Sequence, residues 1–339
     1  MKLTQAIKAV EAIINANNAL PETASNAQYL VPMLWSLPGE GKSTAIEDLG
    51  IKINKEVISV LFGQFDPAEL AGFAKLSEDK STYERARPFF LPTEGSGIIF
   101  LDELPQSCLA AQNIAAQLVN ERRIGEHKLP KGWQVVCAGN PMTAKAGTTA
   151  MPSHLKDRLT HLEIETDHEG FREYALAKGM SPEITGFIKE RPEWLQKFDP
   201  KQNASPSPRS WERADAIIKL DLDFVTMCAL LKGQIGEGSL ADFTGYLKVW
   251  RELKTDEIMS NPKFADLPTD PSITYALCSA LAHRSNKANI KDIVTIITRF
   301  ENKEFSAFCM RDCLARNPEF KKEKVVTQWF LSEGKALLL

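Results

Sequence analysis

Two periodicities divide this chain. Up to Asp167, short apolar runs alternate with stretches of helical spacing; from Gly170 to the end helical spacing dominates and the short runs vanish. Leu30 to Trp35, Glu56 to Phe62, Ser96 to Leu101, Trp133 to Ala138 and His161 to Glu165 read as strands. Short runs rich in Val, Ile, Leu and Phe suit strands buried on both faces. Helical spacing covers Ala6 to Ala16, Lys42 to Gly50, Cys108 to Asn120 and Pro152 to Leu159. Strands alternating with helices predict an α/β core of three layers, a parallel sheet with helices on both faces. Arg123 to Gly132, interrupted by Gly125, Pro130 and Gly132, is too broken for a helix and predicts a short hairpin.

In the second half, the loop Asn203 to Pro208 places Arg209 at a helix start, and the proline-rich stretch Asn261 to Pro271 separates a final helical region. The expected organisation is an N-terminal helix (1–24), an α/β domain (25–168), a helical domain (169–260) and a helical C-terminal region (261–339).

Composition narrows the class. The chain has 339 residues, 43% of them apolar and 25% charged, ordinary values for a globular protein but too long for one core. A net charge of -3 offers no overall basic field for nucleic acid. No apolar run approaches the ~18 residues of a membrane span. Met1 to Gln5 lacks the apolar block of a signal peptide, so a cytoplasmic protein without membrane attachment is expected. Six dispersed cysteines suit reduced, packed thiols. Cys309 and Cys313 share a helix face, yet no His or further Cys stands at zinc-site spacing, and no metal is expected there.

The candidate chemistry lies in the first half. Pro38-Gly39-Glu40-Gly41-Lys42-Ser43-Thr44 joins the first strand to the following helix. Glycines let backbone N–H groups approach a phosphate, and the helix directs its N-terminal dipole at the anion. Lys42 would reach terminal phosphates and Ser43 would offer its hydroxyl to Mg2+. The usual pattern begins with glycine; Ser36 stands there instead. Asp102 ends the third strand, where ligands collect in open parallel sheets, and would hold Mg2+, with Glu103 activating water. Alone, an Asp-Glu pair reads equally as a solvated turn; the glycine loop upstream favours the catalytic reading. Asn140, after the fourth strand, could position the same water, although Asn140-Pro141 would also serve as a plain turn. Together these residues predict nucleoside triphosphate hydrolysis.

The ordered set resembles an AAA+ ATPase: the glycine loop, Asp102-Glu103, Gly139-Asn140-Pro141, Leu155-Lys156-Asp157-Arg158-Leu159 and Ser207-Pro208-Arg209. More narrowly it is similar to the MoxR-like branch, with relatives of the CbbQ, NorQ and GvpN type, through Arg87-Pro88-Phe89-Phe90 and Glu121-Arg122-Arg123-Ile124. The resemblance implies ATP and Mg2+ as ligands, a P-loop core and a helical lid over 169–260. By position, Asn140 matches sensor 1, Arg158 the arginine finger that reaches a neighbouring subunit, and Arg209 sensor 2. Arg122 or Arg123 remains an alternative trans donor, and Leu159 stands where the family more often has Phe. The resemblance further implies a homo-oligomer, expected as a hexameric ring, and a von Willebrand factor A-type partner protein remodelled by lid motion. A nucleotide-binding scaffold with little turnover is the alternative, and a nucleic-acid motor a lesser one. Two inserted segments, Gly63 to Lys80 and Arg123 to Gly132, match the family's remodelling hairpins. Lys128, Lys131 and Trp133 could contact a substrate, with a plain solvated hairpin as the equal alternative, while Phe62, Phe65 and Phe73 read as packing.

Overall fold

The computed structural model describes residues 1–78, 81–144 and 147–333 of the chain. It divides into two units, Met1–Asp167 and His168–Leu339. Asp79 and Lys80 at the end of the first inserted segment, and residues 334–339 of the C-terminal region, lie outside the described residues.

In the first unit, helix α1 (Leu3–Asn18) presents Ala6, Val10 and Ile14, spaced one turn apart, to the sheet. Asn17 fastens its end: its Nδ2 donates to Leu30 O at 2.8 Å and its Oδ1 accepts from Leu30 N at 3.0 Å. Strand β1 (Val31–Trp35) follows and leads through the glycine loop into α2 (Lys42–Lys52). Strand β2 (Glu56–Leu61) precedes the short helix α3 (Pro67–Ala71) and a small antiparallel pair, β3 (Ala74–Leu76) with β4 (Tyr83–Arg85). Strand β5 (Ser96–Asp102) and helix α4 (Leu109–Glu121) come next. The predicted hairpin is present as β6 (Arg123–Ile124) and β7 (His127–Lys128), turning at Gly125 with φ 58. Strand β8 (Gly132–Gly139), a short helix α5 (Ser153–Lys156) and β9 (Leu159–Glu163) close the unit.

The five long strands form one parallel sheet in the order β2-β5-β8-β1-β9. Side chains alternate between its faces. Leu34, Ile98, Phe100, Val136 and Ala138 pack with α1 and α2, while Met33, Ile99, Leu101, Val135 and Cys137 pack with the other face's helices. Each fully buried large side chain here contributes about 1.5–3 kcal/mol. The predicted three-layer α/β core is therefore what the chain adopts.

Element boundaries differ most at the last strand. It begins at Leu159, two residues before the predicted His161, and the preceding helix stops at Lys156 rather than Leu159. The reason is burial: Leu159 and Leu162 must enter opposite apolar layers, which extended backbone accomplishes and a continued helix would not.

Among its described residues the second unit is all-helical: α6 (His168–Ala177), α7 (Pro182–Glu190), α8 (Pro208–Ile218), α9 (Phe224–Ile235), α10 (Glu237–Glu252), α11 (Thr255–Ser260), α12 (Pro271–Arg284), α13 (Ile290–Thr298), α14 (Lys303–Arg316) and α15 (Lys324–Ser332). One apolar cluster centres on Phe187, Trp211, Phe243 and Tyr246, whose rings meet at centroid distances of 5.0 to 5.7 Å. A second gathers Leu281, Ile293, Ile297, Cys309, Phe320 and Trp329. A buried ion pair, Arg172 to Asp312, ties α6 to α14. Helix α8 starts at a capping box in which Ser207 Oγ accepts from Ser210 N and Ser210 Oγ accepts from Ser207 N, with Pro208 as first helical residue.

Candidate functional site

Parallel pairing brings three strand ends side by side. Trp35 stands opposite Gly139, and Leu101 opposite Cys137, so the chain leaves β1, β8 and β5 at one edge of the sheet. The glycine loop, Asn140 and Asp102-Glu103 are the segments that leave there.

The loop closes onto α2 through Gly41, which caps the helix at φ 82 and ψ 18, with Gly39 at φ 84 two residues earlier. A Cβ on Gly41 would meet nothing nearer than Leu3 Cδ2 at 3.9 Å, so the requirement there is conformational rather than steric. Lys42 opens the helix and is buried, with 8% of its surface exposed. Its Nζ donates to Ser36 Oγ at 2.8 Å, to Ser36 O and Asn140 Oδ1 each at 3.2 Å, and to Leu37 O at 3.5 Å. Ser43 Oγ donates to Asp102 Oδ2 at 2.5 Å. The other carboxylate oxygen, Oδ1, accepts from Glu103 N at 2.8 Å. Thr44 is exposed, while Pro38 and Glu40 are half-buried.

Glu103 has φ 56 and ψ 28, left-handed backbone rarely taken by a residue with a Cβ. That turn takes the chain sharply out of β5 and into a 3-10 turn, Leu104–Gln106. Gly139 makes room for it: a Cβ there would lie 2.1 Å from Pro105 Cδ and 3.2 Å from Met33 Cε. The site floor is apolar and inert, and burial pushes the Cys137 thiol well up, which keeps it protonated.

A buried ammonium, a serine hydroxyl and a carboxylate thus converge at a helix N-terminus. Ser43 Oγ and Asp102 supply the hard oxygen donors that Mg2+ prefers. Lys42 and the glycine-loop backbone suit phosphate oxygens. The residues present fit a magnesium nucleotide.

The other predicted residues are placed as follows. Arg158 is exposed at the step between α5 and β9. Arg209 is exposed in the first turn of α8, in the second unit. Arg122 does not stand free for a neighbouring subunit. It is buried, its guanidinium donates to Trp133 O at 2.7 Å and Pro130 O at 3.2 Å, and it stacks 4.1 Å from the Tyr29 ring centroid. Burial lowers its affinity for the proton. Arg123 is exposed and pairs with Glu121 at 2.6 Å. Trp133 is likewise no substrate contact: it is 2% exposed and its Nε1 donates to Glu94 O at 2.9 Å. Among the aromatic residues read as packing, Phe62 is buried, but Phe73 is 63% exposed beside the β3–β4 pair.

Two contacts at the site carry no sequence signal. Thr166 Oγ1 donates to Glu40 Oε1 at 2.6 Å, fastening the loop to the chain beyond β9. Trp35 Nε1 donates to His161 Nδ1 at 2.8 Å, and the two rings stack. Both join residues 126 positions apart, a separation that local patterning does not report.

No protein-family model and no curated protein matches this sequence. Among solved structures, NtrX from Brucella abortus in complex with ADP is similar at 12% identity and a TM-score of 0.38, covering 98% of this chain and 69% of that one. The Holliday junction branch migration motor RuvB of Thermotoga maritima is similar at 13% identity and a TM-score of 0.39, covering 83% and 82%. Both scores are low, and neither likeness bears on the chemistry of this chain, which rests on its own residues.

Proposed function

We propose that this chain binds ATP with Mg2+ and hydrolyses it, as an AAA+ ATPase of the MoxR-like branch. The observation that carries the reading is the convergence of Lys42, Ser43, Asp102, Glu103 and Asn140 on three adjacent parallel strand ends, with Ser43 Oγ 2.5 Å from Asp102 and Lys42 Nζ 3.2 Å from Asn140.

Lys42 and the loop backbone would hold the terminal phosphates beside the α2 N-terminus. Ser43 and Asp102 would hold Mg2+, which when bound supplies neutralisation of phosphate charge. Glu103 accepts the proton of the attacking water, a role worth about 10²–10⁴ in rate. Asn140, through its amide, keeps Lys42 and that water in register. None of these roles needs a covalent intermediate with the protein; positioning and charge are sufficient for phosphoryl transfer to water.

The arginines suit an assembly of several copies. Arg158 is exposed at the step between α5 and β9, where its guanidinium could reach a neighbouring copy's nucleotide. Arg209, held at the start of α8 by the Ser207–Ser210 capping box, would sense the same chain's γ-phosphate. On this reading the protein works as a homo-oligomeric ring, hexameric by resemblance. Turnover then drives motion of the helical lid against a von Willebrand factor A-type partner. No helix of the described residues is long and apolar enough to cross a membrane.

Steady-state ATP hydrolysis by the parent chain, Lys42→Ala and Glu103→Gln tests the chemistry. Glu103→Gln is expected to lose at least about a hundredfold in turnover while still binding MgATP. Equal rates in parent and Glu103→Gln would sink the hydrolytic reading.

A further inference from the structure

Ser36 occupies the first position of the glycine loop and is 3% exposed. Its backbone is not left-handed, so glycine's freedom is not needed there. Its hydroxyl is in use on both sides. The proton goes to Leu37 O at 3.0 Å, and the oxygen accepts from Lys42 Nζ at 2.8 Å. Because the proton is committed to a carbonyl, the oxygen can face the ammonium only as an acceptor. Ser36 O accepts from the same ammonium at 3.2 Å, and Ser36 N donates to Gly139 O at 3.4 Å, next to Asn140.

We infer that Ser36 is a positioning residue for Lys42, resting on the nucleotide reading above. A glycine here would take the hydroxyl acceptor away from the ammonium. Serine adds a 2.8 Å contact and ties the ammonium to the strand end that carries Asn140. The hydroxyl thereby restrains a long, rotamer-rich side chain in a single direction, toward the Asn140 amide and the terminal phosphate. The contact is charge-assisted and buried, the setting in which one hydrogen bond has most effect. Its consequence is discrimination: an ammonium fixed at the end of the loop reads the presence of a γ-phosphate more sharply than one free to follow the ligand.

The test is calorimetric binding of MgATP and MgADP to the full-length parent, Ser36→Ala, Ser36→Gly and Ser36→Thr, with thermal unfolding as a check on folding. Ser36→Ala and Ser36→Gly are expected to weaken MgATP by about tenfold, the loss of one bond to a charged group, and MgADP by clearly less. Ser36→Thr, which keeps the hydroxyl, is expected to recover the parent's preference for MgATP. Ser36→Ala binding MgATP as the parent does, or weakening both nucleotides equally, overturns the assignment. A parent chain that binds neither nucleotide overturns the nucleotide reading itself and the Ser36 assignment with it.

Discussion

Replacing Glu103 separates two things that the residue does. Its backbone is left-handed, at φ 56 and ψ 28, and its side chain is the candidate base. For a residue with a Cβ that conformation costs about 1–2 kcal/mol. Glycine removes the strain, but its greater freedom in the unfolded chain takes back about 0.5–1 kcal/mol. Glu103→Gly is therefore expected to stabilise the first unit by about 0.5–1 kcal/mol. For a unit the size of Met1–Asp167 that raises its Tm by about 1–4 °C. Glu103→Gln keeps the Cβ and the strain, so its Tm should match the parent's. Both variants should lose at least about a hundredfold in turnover. Scanning calorimetry of the full chain, following the transition of the first unit, reads the stability; phosphate release reads the turnover. A lower Tm for Glu103→Gly would refute the strain argument, because among the described residues the Glu103 side chain makes no hydrogen bond whose loss could account for it. A stabilised glycine variant with unimpaired turnover would refute the assignment of the base. The expected pairing, a more stable protein that is catalytically dead, marks strain maintained for function.

Four further outcomes are expected. Gly139→Ala should destabilise the first unit by about 1–3 kcal/mol and slow hydrolysis, since the new methyl meets Pro105 just beyond Glu103; denaturant unfolding and the ATPase rate read both. Arg122→Ala, which removes the buried guanidinium donor to the carbonyls of Trp133 and Pro130 and its stacking on Tyr29, should lower stability by about 1.5–3 kcal/mol, whereas Arg123→Ala should shift it by under about 0.5. Asp312→Ala takes away the buried carboxylate facing Arg172 and leaves only the half-buried pair with Glu169 at 2.9 Å, so it should cost the second unit about 1.5–3 kcal/mol, read by the change in urea midpoint. Mixing Arg158→Ala with Lys42→Ala chains, each inactive alone, should restore part of the ATPase activity if the arginine acts in a neighbouring subunit; no recovery at any mixing ratio argues for action within one chain.

Much of the first unit was legible from local pattern. Burial on both faces leaves the central strands continuously apolar, and runs such as Ile98 to Leu101 report this directly. The glycine loop was legible because phosphate approach demands glycine and a helix start in a narrow window. What local pattern misjudged shares one cause, the dependence of burial on residues far away in the chain. Arg122 reads as a free cation beside Arg123, yet it folds under β8 and Tyr29. Trp133, at the start of the fourth strand, reads as a candidate substrate contact, yet Glu94 and the sheet enclose it. The last strand starts early because Leu159 and Leu162 are claimed by opposite layers of the unit.

By itself, the sequence determined the alternation of strand and helix, the position of the phosphate loop, and which side chains carry charge and hydroxyl groups at strand ends. Those are properties of short windows, in which spacing and residue type suffice. The tertiary structure alone decided the strand order β2-β5-β8-β1-β9, which sets Asn140 between the loop and Asp102. It alone committed Ser36, Lys42 and Asn140 to one another, across 98 residues between the last two. Register and strand order arise from packing two apolar faces at once, and no window of the chain contains both faces.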